Sequence, residues 1–295
     1  MKKKLGVVLG FLLIKIFSFS LEIKENTVYG YQNNNIPLKK YNRVVVTDPA
    51  VIETMYMLNA QDKIVGIAGT KNSKIWPYEE TKKLLTVGNT AKPSLEKIIA
   101  LQPDLVIVNG MSIGLADSLK SKNIPVLIND GTKDFKNILE SIKIFGKLFD
   151  REKESENLYK ESKEKLKILE ERKKLKEIKG VILYSTNPMM GFSKESLPGQ
   201  VLELIGVKNI TDGLIGERPI ISPEYLLSEN PQIIMGAMSI SSIKNIEEAN
   251  PFIKNTIAGK NNNIFIVDSS KILRGSPRIF DTMEELKKEI ENAKI

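Results

Sequence analysis

The sequence predicts an α/β fold: two similar lobes with mainly parallel sheets, joined by one long rigid helix, with a ligand cleft between the lobes. Three observations carry this expectation. Short β-branched runs alternate with helical stretches in both halves of the chain. A pattern in the middle of the first half recurs in the second. Between the halves lies a charge-laced stretch with no Pro or Gly.

The first element is an address. Met1 is followed by Lys2, Lys3 and Lys4, then by a mainly apolar run from Leu5 to Phe19 broken by Lys15, with Ser18 and Ser20 as a small-x-small cleavage site. This reads as a signal peptide over residues 1–20, cut after Ser20, which makes the mature chain periplasmic. The run falls short of the ~20 apolar residues that span a bilayer. Cleavage removes four Lys and no acid, so the net charge falls from +8 to +4. The remaining Lys alternate with Glu along helices, the pattern of a solvated surface rather than of a nucleic-acid site.

The first lobe is expected over residues 21–150. It opens with scattered β-formers and a turn at Asn33-Asn34-Asn35. Arg43–Val46 reads as a strand, and Asp48-Pro49 opens a helix to about Leu58. Ile64–Ile67 follows as a strand, Ser94–Leu101 as a helix, Leu105–Val108 as a buried strand, Asp117–Lys122 as a helix and Val126–Ile128 as a strand. Asp134–Phe149 is an amphipathic helix.

Residues 151–179 are expected to form the connecting helix, with Leu158, Lys165, Leu166, Leu169 and Ile178 at roughly helical spacing. At 1.5 Å per residue it would span about 35–40 Å. The second lobe, residues 180–295, offers strands at Val181–Tyr184, Ile233–Met235 and Ile264–Val267, and helices at Pro198–Ile205, Glu224–Ser228 and Phe280–Glu291. The repeat lies at the centre of each lobe. Ser94-Leu95-Glu96, then Gln102-Pro103-Asp104 and Leu105-Val106-Ile107, match Ser222-Pro223-Glu224, Asn230-Pro231-Gln232 and Ile233-Ile234-Met235.

Composition excludes much chemistry. The 295 residues include no Cys and no His. There is therefore no disulfide framework, thiolate nucleophile, zinc ribbon, iron–sulfur cluster or lipobox cysteine, and no Ser-His-Asp triad or imidazole metal site. No catalytic residue, resident cofactor or protein-held metal is expected.

Several segments together resemble the periplasmic substrate-binding proteins of metal-chelate ABC importers, the group that includes siderophore-, haem- and cobalamin-binding proteins. They are Arg43-Val-Val-Val-Thr-Asp-Pro-Ala, Val87-Gly-Asn, the run from Pro93 to Ile107, Gly191-Phe-Ser-Lys-Glu-Ser, Gln200-Val-Leu-Glu and Ser276-Pro-Arg-Ile. The resemblance implies two α/β lobes bridged by one long helix. It also implies an ABC permease in the inner membrane as partner, engaged through one surface glutamate per lobe, here Glu96 and Glu224. A carboxylate near a helix N-terminus is held ionised by the helix dipole, and arginine forks bind it well.

In open α/β sheets, ligands sit beyond the carboxyl ends of the strands. That rule selects loops carrying Trp76, Tyr78 and Met111 in the first half, and Met189, Met190, Arg218, Met238 and Arg274 in the second. Aromatic faces suit flat chelates, Met adapts to irregular ligands, and Arg answers anionic ones. With no His, a pre-formed metal chelate recognised by its organic shell is the expected ligand. The sequence thus describes a monomeric extracytoplasmic receptor for a metal chelate, an iron–siderophore complex first, with nickel or cobalt chelates, cobalamin and haem as alternatives. A secreted α/β enzyme acting on a small molecule is the alternative from another class.

Overall fold

Runs of Val, Ile and Leu form the two larger sheets of this protein, seen in a computed structural model that describes residues 21–70, 73–129, 134–171 and 178–293. β-branched side chains pack well on a pleated surface, and strands covered on both faces read as continuous apolar runs.

The chain begins with a small antiparallel sheet of β1 (Glu22–Lys24), β2 (Thr27–Tyr29) and β3 (Asn35–Pro37). The expected asparagine turn is a single 3₁₀ turn at Tyr31–Asn33. The first lobe then runs β4 (Val44–Val46), α1 (Pro49–Met57), β5 (Ile64–Gly69), α2 (Tyr78–Thr81), β6 (Thr86–Asn89), β7 (Lys92–Pro93), α3 (Leu95–Ala100), β8 (Leu105–Val108), α4 (Ala116–Lys120), β9 (Val126–Ile128) and α5 (Phe135–Leu148). Its strands lie in the order β7-β6-β5-β4-β8-β9. All pairs are parallel except β6 with β7. The strand order reverses between β4 and β8, which opens a crevice at their carboxyl ends.

The connecting helix α6 covers Glu152–Glu171, a span of about 30 Å at 1.5 Å per residue. The expected helix over residues 151–179 needs correction at its far end. Ile178 and Lys179 already belong to a strand, and residues 172–177 lie outside the described residues. The helix does not stand free. Leu158 and Leu169 are buried, and α6 packs along α5 on one side. Gly146 of α5 makes this approach possible: a Cβ there would meet the Ser155 hydroxyl at 2.2 Å.

The second lobe runs β10 (Ile178–Thr186), β11 (Met189–Gly191), α7 (Leu197–Leu204), β12 (Val207–Asn209), α8 (Pro223–Glu229), β13 (Ile233–Gly236), α9 (Ile243–Ala249), α10 (Ile257–Lys260), β14 (Ile264–Ile266), α11 (Ser269–Ile272) and α12 (Ile279–Glu291). β10, β13 and β14 are parallel neighbours. The other edge of β10 is shared by parallel β12 and antiparallel β11. The fold is thus α/β with two mainly parallel sheets, as the sequence predicts.

The internal repeat is structural. Gln102 and Asn230 both adopt left-handed backbone after their helices, at φ 48° and 47°. The amide of Asp104 then donates to Arg43 O, and that of Gln232 to Lys179 O. Their side chains act alike too: Asp104 accepts from the Asn42 and Arg43 amides at 2.8 and 2.9 Å, and Gln232 accepts from the Lys179 amide at 3.0 Å. Each repeat ties its strand to the first strand of its own sheet.

One apolar core runs through both halves. It joins α1 and α5 of the first lobe to α7 and α12 of the second, with Leu158 and Leu169 of α6 among its members. Phe135 and Phe280 meet across the lobes at 6.2 Å between ring centres. Lys165 of α6 also pairs with Asp281 of α12. Such continuous packing resists large hinge motion, because cores are close-packed and repack in discrete steps. Among the described residues no helix is long and apolar enough to cross a membrane.

Candidate functional site

The crevice of the first lobe is filled by its own polar groups. Thr47, just after β4, shares a 2.7 Å hydroxyl hydrogen bond with Ser112. Asp48 caps α1 by accepting the Ala50 amide at 2.9 Å, and it accepts from the Asn129 amide group at 2.7 Å. These buried groups are satisfied, as buried polar atoms must be.

The second lobe behaves differently. At the carboxyl ends of its strands lies a cavity of about 320 Å³, lined by Ser73, Tyr184, Met238, Ser239, Ser269, Ser270, Leu273 and Arg274. Ser73 comes from the first lobe, so the cavity is interlobe. Its size is at the lower end of the roughly 300–1,000 Å³ of small-molecule sites. Met238, just after β13, has left-handed backbone at φ 60° and is 48% exposed. The Ser269 hydroxyl holds it there by accepting the Met238 amide at 2.6 Å. That bond occupies a lone pair of Ser269 and leaves its proton free to donate.

Arg274 crosses from the second lobe to the first. Its Nη1 donates to Glu53 Oε1 at 2.6 Å and to Lys74 O at 2.7 Å, and its Nη2 donates to Ser73 Oγ at 2.8 Å. Three of the five guanidinium N–H groups are spent in this way, leaving two. Glu53 is an acid on a helix whose residues from Pro49 to Met55 are all buried. It also accepts from Ser276 Oγ at 2.7 Å, and Arg278 Nη1 stands 3.2 Å away. The Arg278 guanidinium lies over the Trp76 ring, 4.8 Å from its centre.

Of the residues selected from sequence, the cavity gathers Met238 and Arg274. Trp76 is beside it, its amide donating to Glu53 at 3.4 Å. Arg218 stacks over Tyr184 at 4.6 Å, behind a cavity wall. Tyr78 stands apart with Lys74 and Lys82 over its ring. Met111 is exposed on a 3₁₀ turn away from the cavity lining, and Met190 is half-buried on β11, bridged to Ile220. Met189 requires correction: it is buried in the second lobe's core with Ile221 and Leu226, because its side chain falls on the inner face of the β11 hairpin. Glu53, Tyr184 and the four serines are not among the residues selected from the sequence. Only Glu53 left a signal, a lone acid in an otherwise apolar helix.

Glu96 and Glu224 are both exposed and both second in their helices, after the capping residues Ser94 and Ser222. Each carboxyl is held below its ordinary range, first by its own backbone N–H and then by the capping serine hydroxyl.

Two α/β lobes thus meet at a hydroxyl-lined cavity, with three of its arginine's donors spent within the protein. Residues 44–270 match the periplasmic binding protein family, and the chain belongs to that family. An uncharacterized ABC transporter substrate-binding lipoprotein of Bacillus subtilis is 28% identical over 279 residues, covering 91% of this chain and 86% of that protein. A vitamin B12-binding protein of Vibrio vulnificus is 25% identical over 248 residues, 83% of this chain and 88% of its own. A possible iron-binding periplasmic solute-binding protein from Staphylococcus epidermidis shares the fold at a TM-score of 0.74 and 23% identity, covering 85% of this chain and 99% of that one. The protein is accordingly a substrate-binding component of ABC transport and not an enzyme. Proteins of this kind bind small molecules and work with a membrane permease.

Proposed function

We propose that the protein captures a pre-formed metal chelate, an iron–siderophore complex in the first place, and delivers it to the permease through Glu96 and Glu224. The observation that carries this reading is the interlobe cavity, whose donors are serine hydroxyls and Arg274. Such donors suit the oxygen-rich shell of a chelate. A bare metal ion would need a different set. The sequence has no His or Cys, and the described residues contain no cluster of three acids able to hold one. The metal therefore arrives with its coordination filled by its own organic ligand.

Cobalamin is the second reading, supported by the relative named a vitamin B12-binding protein. A corrin, like an iron–siderophore complex, is bulky against a cavity of about 320 Å³, so either reading requires the lobes to part further. Native mass spectrometry of protein purified from its own periplasm separates the two by mass. Titration with a ferric tris-hydroxamate complex is expected to quench Trp76 fluorescence. Binding of a free divalent ion that survives a competing chelator would overturn both readings.

A further inference from the structure

We propose that Glu53 is a positioning residue: its buried carboxylate pins Arg274 and Arg278 of the second lobe against the first, and so sets the Arg274 wall of the cavity and the cover over Trp76. The inference goes beyond the proposed function, since it does not depend on which molecule is carried.

The Glu53 side chain is only 1% exposed. A buried carboxylate without partners is strongly destabilising, so its partners decide where it is stable. Here those partners come mainly from the other lobe. Oε1 accepts from Arg274 at 2.6 Å, with Arg278 at 3.2 Å, and Oε2 accepts from Ser276 at 2.7 Å. Among the described residues, the one donor from its own lobe is the more distant Trp76 amide. Parting the lobes at this point would strip the carboxylate of three donors at once. The seating of the lobes and the order of the cavity wall are therefore one event.

The charges are unequal. One carboxylate faces two guanidinium groups. Arg274 spends three donors on first-lobe atoms, and Arg278 places its cation on the Trp76 ring. A cation over an aromatic face is attracted by the ring quadrupole, most strongly where water is excluded. Trp76 belongs to the first lobe and Arg278 to the second. Protection of the ring from solvent is thus a direct measure of the seating that Glu53 enforces.

Trp76 is the only tryptophan in the sequence, so its fluorescence reads this contact alone. The test compares the full mature chain with Glu53→Gln and with the triple variant Glu53→Met, Arg274→Met, Arg278→Met, measuring acrylamide quenching and thermal melting. Glutamine keeps the shape and a hydrogen bond to Ser276 but not the charge. It is expected to raise the quenching constant about twofold, toward the limit set by the present 39% exposure of Trp76. The triple variant removes every charge of the cluster, and is expected to melt above Glu53→Gln while Trp76 stays equally open to acrylamide. Wild-type quenching in Glu53→Gln overturns the proposal, and so does a triple variant that restores protection of the ring. Should Glu53→Gln fail to fold, Glu53→Asp keeps the charge but withdraws it by one methylene. The same rise in quenching is then required, and its absence is fatal to the idea.

Discussion

Ser94 and Ser222 hold equivalent places in the two lobes. Each hydroxyl accepts the backbone N–H three residues ahead, Lys97 at 3.3 Å and Tyr225 at 3.1 Å, and each is followed two residues later by an exposed glutamate. A partner built from two copies of one subunit would meet the same helix start twice. Reversing both charges, Glu96→Arg with Glu224→Arg, should reduce transport to background in a reconstituted system, since like charges across an interface repel and steer partners apart. Affinity for the chelate should not change, because neither residue lines the cavity. Transport at the normal rate, or weakened chelate binding, would remove the docking role.

The same two carboxyls carry a pH signature. Each has its pKa lowered from 4.5 by its own backbone N–H and by the serine hydroxyl. A lowered carboxylate pKa means that the folded state holds its proton less tightly than the unfolded state. The resulting stability is complete above about pH 4.5 and fades as the pH falls through the lowered values. Carbon-13 NMR should place both midpoints below 4.5, with Ser94→Ala and Ser222→Ala moving their partners upward. Each serine change should also cost about 1 kcal/mol as a lost helix cap. Midpoints unmoved by the serine changes would contradict the assignment.

Legibility in the sequence followed apolar runs. Leu105–Val108 announces itself as a buried strand, and the structure places it at those residues. β6 and β7, at Thr86–Asn89 and Lys92–Pro93, went unseen because Val87 is almost their only apolar residue. The sequence carries the helix to Lys179 because no Pro or Gly interrupts residues 151–179. The strand declares itself at Gly180, where a Cβ would meet Val207 at 2.7 Å. The candidate site was harder to read. Met189 and Met238 both follow strand runs in the sequence, yet a hairpin turns the first into the core and a left-handed turn lifts the second into the cavity. The serines of the cavity wall gave no signal, because serine in a loop also serves turns and caps. Arg274 was chosen as a donor for anions, but nothing in its neighbourhood in the chain points to Glu53, 221 residues away.

The contact between α5 and α6 depends on Gly146. Its φ is not left-handed, so the backbone would accept alanine. Space would not: the added carbon would lie 2.2 Å from the Ser155 hydroxyl and 3.2 Å from Arg151 O. Gly146→Ala should therefore destabilise the protein by about 1–3 kcal/mol, the range for overpacked cores. Adding Ser155→Gly should recover part of that loss, because the nearest clash is then removed. Denaturant melts of the three proteins test this, and equal stability of Gly146→Ala and the parent would refute the close approach.

Met238 sets stability against capture. Left-handed backbone costs a residue with a Cβ roughly 1–2 kcal/mol, while glycine accepts it freely. Against that gain stands the extra entropy glycine has in the unfolded chain, about 0.5–1 kcal/mol. Met238→Gly should then raise stability by about 0.5 kcal/mol. The residue nevertheless faces the cavity, and the Ser269 hydroxyl holds its backbone in the strained turn. Losing the thioether side chain removes adaptable contact surface, so chelate affinity should fall as stability rises. Measured side by side, the two effects should have opposite signs. A variant that both melts higher and binds the chelate as tightly as the parent would show that Met238 serves the turn and not the ligand.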